Sequence, residues 1–164
     1  MRNVNETVRC SGCGVAVADG TVGCQRLFDS LIARDFSDAL FFSVHRLAVD
    51  TYSLQHPDRY CASAKSLAAH LVGICWILEH KGNPAIGSDA IRRWLDGPKN
   101  LPRPEPPTDR GALTIAHVLP SDTPAQYATA VRGWAESTWS AYAPLHALAR
   151  SWLHEALALQ TTRS

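Results

Sequence analysis

The segment CSGCG, from Cys10 to Gly14, places two thiols at C-x-x-C spacing between glycines. One tight turn of this kind can supply two ligands to a tetrahedral metal ion, and glycine tolerates the backbone conformations that the turn needs. The alternatives are a free thiol pair and a redox pair. A thioredoxin-type redox pair would begin a helix after a strand, and the preceding NETVR has a poor strand pattern. The spacing therefore favours a metal site, and the chain has no second C-x-x-C to complete it.

Composition limits the classes of protein to which the chain can belong. It has 164 residues, 46% hydrophobic and 19% charged, which is typical of one soluble globular domain. A formal net charge of +1 provides no basic face for general nucleic-acid binding. No apolar run is long enough for a membrane helix or a signal peptide. We therefore expect a cytoplasmic protein without nucleic-acid or membrane partners, in which reducing conditions favour metal ligation over disulfides.

Apolar residues recur at helical spacing through most of the chain, and caps and prolines separate the segments. Ser37 or Asp38, Ser63 or Ser66, Ser88 and Thr123 are the predicted caps. The only strand-like pattern is a weak alternation over residues 15–18. The sequence predicts an all-α, four-helix-bundle-like single domain over residues 1–164. Its parts are a zinc-knuckle loop (1–21), helical hairpins (22–97), a proline-rich connector (98–111) and C-terminal helices (112–164).

The histidine that completes the metal site can be sought from the register of the predicted hairpins. If the chain turns near residues 35–36, Cys24 faces about residue 47, and His45 lies within about 3 Å of that level along the helix axis. A turn near residue 59 brings His70 to the same level, whereas His56 falls about 13 Å away. The sequence therefore predicts Zn²⁺ as the cofactor, bound by Cys10, Cys13, Cys24 and His45, with His70 as the alternative ligand.

A second pattern lies in the segment HRLAVDTYSLQHP. On a helix, His45, Tyr52 and His56 share one face with apolar residues, so their polar groups point inward and need partners. Tyr52, Gln55, His56 and Asp50 are therefore predicted to line a polar pocket beside the metal. His56, Tyr52 and Asp50 are then the candidate catalytic residues for proton transfer. The alternative is that these side chains form hydrogen bonds between helices.

The chain resembles a bacterial family of unknown function, the 5946-type domain. The resemblance rests on C-x-G-C-G, on Cys24 before a helix, on HRLAVDTYSLQHP, on AAHL around His70 and on GWAESTWSAY. It implies that the family's motif positions are Cys10, Cys13, Cys24, His45, Asp50, Tyr52, Gln55, His56 and His70, and it implies no activity. The chain is more loosely similar to DinB-type metal-binding four-helix bundles, which use a histidine triad. The cysteine knuckle departs from that pattern.

Three functions fit these features. The favoured one is a zinc-binding helical bundle whose pocket next to the metal binds or acts on a small organic molecule. A small zinc metalloenzyme, such as a lyase, hydrolase, cyclase or thiol transferase, would leave one metal position open. A structural-zinc interaction module, or a thiol redox or metal sensor, would instead use a closed site. The sequence leaves open whether the protein is an enzyme, and it does not indicate the oligomeric state.

Overall fold

This computed structural model describes residues 7–161 of the chain. Helix caps and prolines divide that range into separate helices. Within that range the predicted all-α, bundle-like class with an N-terminal cysteine-bearing loop is confirmed. The elements are β1 Thr7–Arg9, β2 Ala16–Ala18, α1 Gly20–Ser37, α2 Ala39–Phe42, α3 His45–Gln55, α4 Pro57–Tyr60, α5 Ala64–His80, α6 Pro84–Leu95, α7 Pro124–Ala141 and α8 His146–Thr161. Short 3₁₀ turns lie at Ile115–His117 and Ala143–Leu145.

Three predicted caps are confirmed. Ser63 begins α5 and Thr123 begins α7, and each forms a reciprocal capping box with the third helical residue. Asp38 caps α2 by accepting a hydrogen bond from the backbone N–H of Leu40 at 2.7 Å. These caps satisfy N–H groups that the first turn of a helix leaves without partners, so the helices begin where the polar side chains stand.

Three boundaries differ from the prediction. The helix expected after Ser88 begins earlier, because Asn83 accepts hydrogen bonds from two backbone N–H groups and Pro84 occupies the first turn. The segment after the predicted cap at Asp38 is divided into α2 and α3 around Ser43 and Val44. NETVR contributes a strand after all, since Thr7–Arg9 pairs antiparallel with Ala16–Ala18. That pairing partner lies within the weak alternation noted above.

The core forms where α5 packs against α3, α6 and α8, while α7 packs mainly against α3. Four of the chain's five tryptophans are buried, among them Trp134 and Trp152. Cys61 and Cys75 are also buried there as small apolar side chains. No helix in residues 7–161 is long and apolar enough to cross a membrane.

The proline-rich segment is fixed to the bundle by the buried side chain of Gln55. Gln55 Nε2 donates to the carbonyls of Arg110 at 2.9 Å and Leu113 at 2.8 Å. Its Oε1 accepts a hydrogen bond from Trp134 Nε1 at 2.9 Å. Arg103 Nε donates to the carbonyl of Cys61 at 3.0 Å near the other end of the segment. Both N–H groups of one buried amide thereby hold the crossing from α6 to α7, and its oxygen is bonded to α7 itself.

Glu79 joins α5 to α8 and to the end of α7. Its carboxylate accepts two hydrogen bonds from Arg150, both at 2.8 Å, and one from Trp139 Nε1 at 3.1 Å. The hydrogen bonds from Arg150 are the main reason why the pKa of Glu79 falls from 4.5 to about 2. A carboxyl group whose pKa is depressed by folding stabilises the protein above the pKa of the unfolded chain.

We predict that Glu79→Gln lowers the free energy of unfolding at pH 7 by about 1 kcal/mol. The deficit should shrink as the pH falls from 4.5 towards 2, because the wild-type carboxylate then becomes protonated too. Urea unfolding of both proteins between pH 4.5 and pH 2 measures this difference in the free energy of unfolding. Glu136→Gln, which breaks an exposed pair with Arg132, is the matched control and should change little. A deficit that stays constant down to pH 2 would contradict the electrostatic explanation.

Candidate metal centre

The two cysteines of C-x-x-C lie in the turn that joins β1 and β2. Arg9 pairs with Ala16 at the end of the ladder, and Cys10 N–H donates to the carbonyl of Val15 at 2.8 Å. Gly14 N–H donates to the carbonyl of Cys10 at 3.0 Å, and Gly14 has a φ of 78°. Residues that have a Cβ rarely adopt that φ, so glycine at this position lets the turn close. The turn brings both thiols to the same side.

Backbone N–H groups in this turn point at the sulfur atoms. Burial opposes ionisation of Cys10, but hydrogen bonds from the N–H groups of Cys13 and Gly12 lower its pKa overall. For Cys13 the hydrogen bond to Cys24 and burial raise the pKa, and the N–H of Val15 only partly opposes them. Hydrogen bonds to sulfur favour the thiolate, which is the form of cysteine that binds metal ions. The backbone of the loop therefore favours the thiolate at Cys10.

Glycines allow this hairpin to lie directly on the helices. A Cβ at Gly23 would overlap the carbonyl of Ala18, so β2 can contact the first turns of α1 only because Gly23 lacks one. A Cβ at Gly12 would overlap the ring of His56. Thr21 at the start of α1 accepts a hydrogen bond from the backbone of Ser11 at 3.1 Å. These contacts set the distance from the hairpin to Cys24 and His56.

Four side chains converge at this junction: Cys10, Cys13, Cys24 and His56. Cys13 Sγ lies 3.7 Å from Cys24 Sγ, and His56 Nε2 lies 3.4 Å from Cys10 Sγ and 3.5 Å from Cys24 Sγ. All four atoms lie within 4.8 Å of one another. Cys10, Cys24 and His56 are buried, and Cys13 is partly exposed. The group is therefore close enough to hold a metal ion.

The tautomer of His56 follows from its other nitrogen. Nδ1 lies 2.7 Å from the carbonyl oxygen of Tyr52, and a carbonyl can only accept a hydrogen bond, so Nδ1 donates. The lone pair of the neutral ring is then on Nε2, the atom that faces the sulfurs. Metal-binding histidines are commonly oriented by a hydrogen bond of this kind. Tyr52 also stacks on the ring at 3.9 Å and holds its plane.

Hydrogen bonds within the group shift the pKa values of its members in opposite directions. The hydrogen bond from Cys13 to Cys24 is the largest influence on both, and it lowers the pKa of Cys24 to about 4 while raising that of Cys13. Burial lowers the pKa of His56, but hydrogen bonding to Cys24 and to the Tyr52 carbonyl raises it overall. Burial, then donation to Cys24, raises the pKa of Tyr52. A divalent cation among these atoms would replace the protons in these hydrogen bonds.

His45 and His70 were predicted as ligands, and the structure does not bring them to the cysteines. His45 Nδ1 is bound to Asp35 at 2.9 Å, and His70 Nδ1 is bound to Asp50 at 2.8 Å. The group of potential ligands within residues 7–161 that contains Cys10 includes neither of them. His56, which the prediction placed too far from Cys24 and assigned to proton transfer, lies there instead.

The difference in register has a physical cause. The prediction assumed a turn near residues 35–36, but α1 continues to Ser37, and α2 separates it from α3. Cys24, near the start of α1, therefore lies across from the end of α3 rather than its beginning. The predicted ligand at the start of α3 is one helix length from the cysteines. His56 directly precedes a proline that ends the helix, and this loop-side position is a signal that could have identified it.

The other two predicted catalytic residues have separate positions. Tyr52 adjoins the cysteines, and its hydroxyl lies 3.6 Å from Cys24 Sγ. Asp50 is fully buried away from them, where its two oxygens accept hydrogen bonds from Arg46 and His70 at 2.8 Å each. The predicted constellation of His56, Tyr52 and Asp50 around one pocket is therefore divided between the centre and the middle of the bundle. The sequence analysis assigned no individual role to Gly12 or Gly23, which let the hairpin lie against His56 and α1.

The sequence model of a family of unknown function (DUF5946) matches residues 8–143 of the chain. The match covers most of the chain and includes all four converging residues, so the protein belongs to this family. A search of curated proteins found no match, and neither did a search of solved structures. The similarity to DinB-type bundles stays a prediction.

We predict that Gly12→Ala displaces the ring of His56 and weakens metal binding by about tenfold to a hundredfold, the range that follows loss of ligand orientation. Competition with a chromophoric chelator measures the affinity. Gly133→Ala is the matched control, because a Cβ there meets only Leu113 at an ordinary 3.9 Å. Equal affinity of Gly12→Ala and wild type would mean that the ring is not held against the turn.

Proposed function

We propose that this member of the family binds one Zn²⁺ through Cys10, Cys13, Cys24 and His56, and that the ion fastens the N-terminal hairpin to the helical bundle. The observation that carries the proposal is the convergence of the four ligand atoms within 4.8 Å. The ligands come from three separate elements: the hairpin supplies two, α1 supplies one and the end of α3 supplies one.

The distances favour zinc coordination. Bonds of 2.3 Å to sulfur and 2.0–2.1 Å to nitrogen in a tetrahedron give about 3.8 Å between sulfurs and about 3.5 Å between sulfur and nitrogen. The distances between Cys13 and Cys24 and between His56 and each of its two cysteines are 3.7, 3.4 and 3.5 Å. Thiolate and imidazole together are the soft and borderline donors that select zinc over magnesium or calcium.

A structural role is supported by the number of protein ligands and by what they join. Catalytic zinc keeps one position for water or substrate, whereas four protein ligands of the Cys₃His type close the coordination sphere. Each strand of the hairpin has three residues, too few to be stable by itself in water. Metal bonds to Cys10 and Cys13 would supply the free energy that so small a sheet lacks.

The space beside the centre also favours the structural role. A cavity lined by Tyr52, His56 and Tyr60 has a volume of about 90 Å³. Pockets for organic ligands usually measure about 300–1,000 Å³. Tyr52 is stacked between Phe28, at 3.8 Å, and His56. It therefore holds the ring of His56 in place rather than facing an open site. The small-molecule function expected next to the metal therefore has less support than the structural one.

The first test is metal content of protein purified without added metal. Wild type should contain about one zinc per chain. His56→Ala should lose it together with about 10 °C of Tm, because a structural metal stabilises only the folded chain. His45→Ala and His70→Ala are the matched controls and should keep the metal. Loss of zinc from His45→Ala but not from His56→Ala would overturn the ligand assignment.

A second variant separates loss of a ligand from general unfolding. His56→Cys should restore a four-ligand site, keep the metal and change the absorption spectrum of the Co²⁺-substituted protein, since sulfur replaces nitrogen. In wild type, the Co²⁺ spectrum should not respond to added azide or a small thiol, because a closed site offers no position to them. A response would favour the alternative in which the metal is catalytic.

A further inference from the structure

A second set of polar side chains lies at the end of α3 farthest from the cysteines. His45 begins α3, and His56 follows its last residue, which separates them by about 16 Å along the axis at 1.5 Å per residue. His45 and Arg46 belong to the HRLAVDTYSLQHP segment, but the metal centre uses neither. They require a separate explanation.

A cleft of about 550 Å³ opens at this end, between α2, the first turns of α3 and the start of α6. Its volume lies within the range of pockets that bind small organic molecules. Phe42, Val49 and Pro84 give it apolar walls, and His45, Arg46 and Ser88 are among its polar lining residues. No aspartate or glutamate belongs to the described residues that line it. The cleft combines apolar surface with nitrogen donors.

His45 is held in one orientation at this wall. Asp35 is fully buried and accepts hydrogen bonds from Nδ1 of His45 at 2.9 Å and from the hydroxyl of Tyr127. The imidazole ring also stacks on Phe42 at 4.7 Å and contacts Phe36 at 5.1 Å. Because Nδ1 is committed to the carboxylate, Nε2 is the nitrogen that can form a hydrogen bond to a ligand.

Arg46 is held beside it with donors to spare. Nε donates to Asp50 at 2.8 Å, Nη2 to the carbonyl of Ala69 at 3.2 Å, and Nη1 to the hydroxyl of Ser88 at 3.3 Å. A guanidinium has five N–H groups, so two remain after these three bonds. A fixed guanidinium with free N–H groups suits a carboxylate, which can accept two hydrogen bonds from it.

The edge of the cleft carries aromatic rings that the bundle does not cover. Phe42 is 44% exposed and Phe36 is 68% exposed, and their centroids are 5.2 Å apart. Exposed aromatic rings next to fixed polar groups provide a surface for a flat apolar ligand, whose ring would gain both burial and stacking.

We propose that this cleft binds a small aromatic carboxylate. The carboxylate accepts hydrogen bonds from Arg46, the aromatic ring packs against Phe42 and Val49, and Nε2 of His45 bonds to a polar substituent next to the carboxylate. The proposal is independent of the metal centre and does not require zinc to be bound at the cysteines.

Mandelate is a suitable probe because it has a phenyl ring and a hydroxyl group next to its carboxylate. Mandelamide retains the ring but not the charge, and lactate retains the charge but not the ring. Titration of the ¹⁵N-labelled full chain should shift the backbone amides of Phe42, Val49, Ala85 and Ser88. We expect a Kd for mandelate of about 1 mM, as for a ligand of this size, and about tenfold weaker binding of the other two.

A pair of variants at Ala85 tests the electrostatic part. Ala85 is exposed, lines the cleft and lies in the first turn of α6, where a glutamate does not disturb the helix. Ala85→Glu should weaken mandelate binding at least about tenfold through repulsion of the carboxylate, whereas Ala85→Gln, of similar size, should change it less than about threefold.

Three results would overturn the proposal. The first is that mandelate causes no shift at the cleft up to about 20 mM, since a site of this chemistry should be largely filled there. The second is that mandelamide binds as tightly as mandelate. The third is that Ala85→Glu and Ala85→Gln weaken binding equally, which would mean that the space is occupied but charge has no part. The zinc content of each variant should equal that of wild type.

Discussion

The hydrogen bond from His56 Nδ1 to the carbonyl of Tyr52 determines how the N-terminal hairpin can meet the bundle. It places Nε2 towards Cys10 and Cys24, so the hairpin and α1 must approach the end of α3 together. The same carbonyl also accepts a hydrogen bond from the backbone N–H of His56 at 3.1 Å, and a carbonyl oxygen has two lone pairs, so the second one is available to orient the imidazole. The end of α3 thereby positions the ring of His56 against the two cysteines.

Neighbouring residues at the end of α3 hold different parts of the chain. Tyr52 stacks between Phe28 and His56, Gln55 binds the segment before α7, and His56 faces the cysteines. A buried polar group costs free energy unless it has a partner. In α3 each of these polar groups finds its partner on an element distant in sequence, so the cost of burying it is offset only when the tertiary fold is complete. The end of α3 therefore fixes the positions of α1, of the hairpin and of the segment before α7 through these contacts.

The parts of this structure that depend on local chemistry could be predicted from the sequence. Cys10 and Cys13 follow from a four-residue spacing, and the starts of α5 and α7 follow from Ser63 and Thr123, because a cap acts within one turn. The histidine that lies beside the cysteines could not be predicted this way. Its identity depends on which residue of α3 lies opposite Cys24, and the extension of α1 and the insertion of α2 change that register. Small differences in helix ends therefore move the residue opposite Cys24 from the start of α3 to its end.

The partners of the three histidines explain why sequence reasoning could confuse them. A histidine that binds metal and a histidine that binds a carboxylate both need one nitrogen anchored. His45 and His70 are anchored by buried aspartates, but His56 is anchored by a neutral carbonyl. Three thiolates and Zn²⁺ would together have a net charge of −1. A carboxylate behind His56 would add a second negative charge to a buried centre, which is costly, whereas the carbonyl orients the ring without adding one. The neutral carbonyl therefore makes His56 the histidine suited to a site with three thiolates, whereas the aspartates behind His45 and His70 make those two histidines less suited to it.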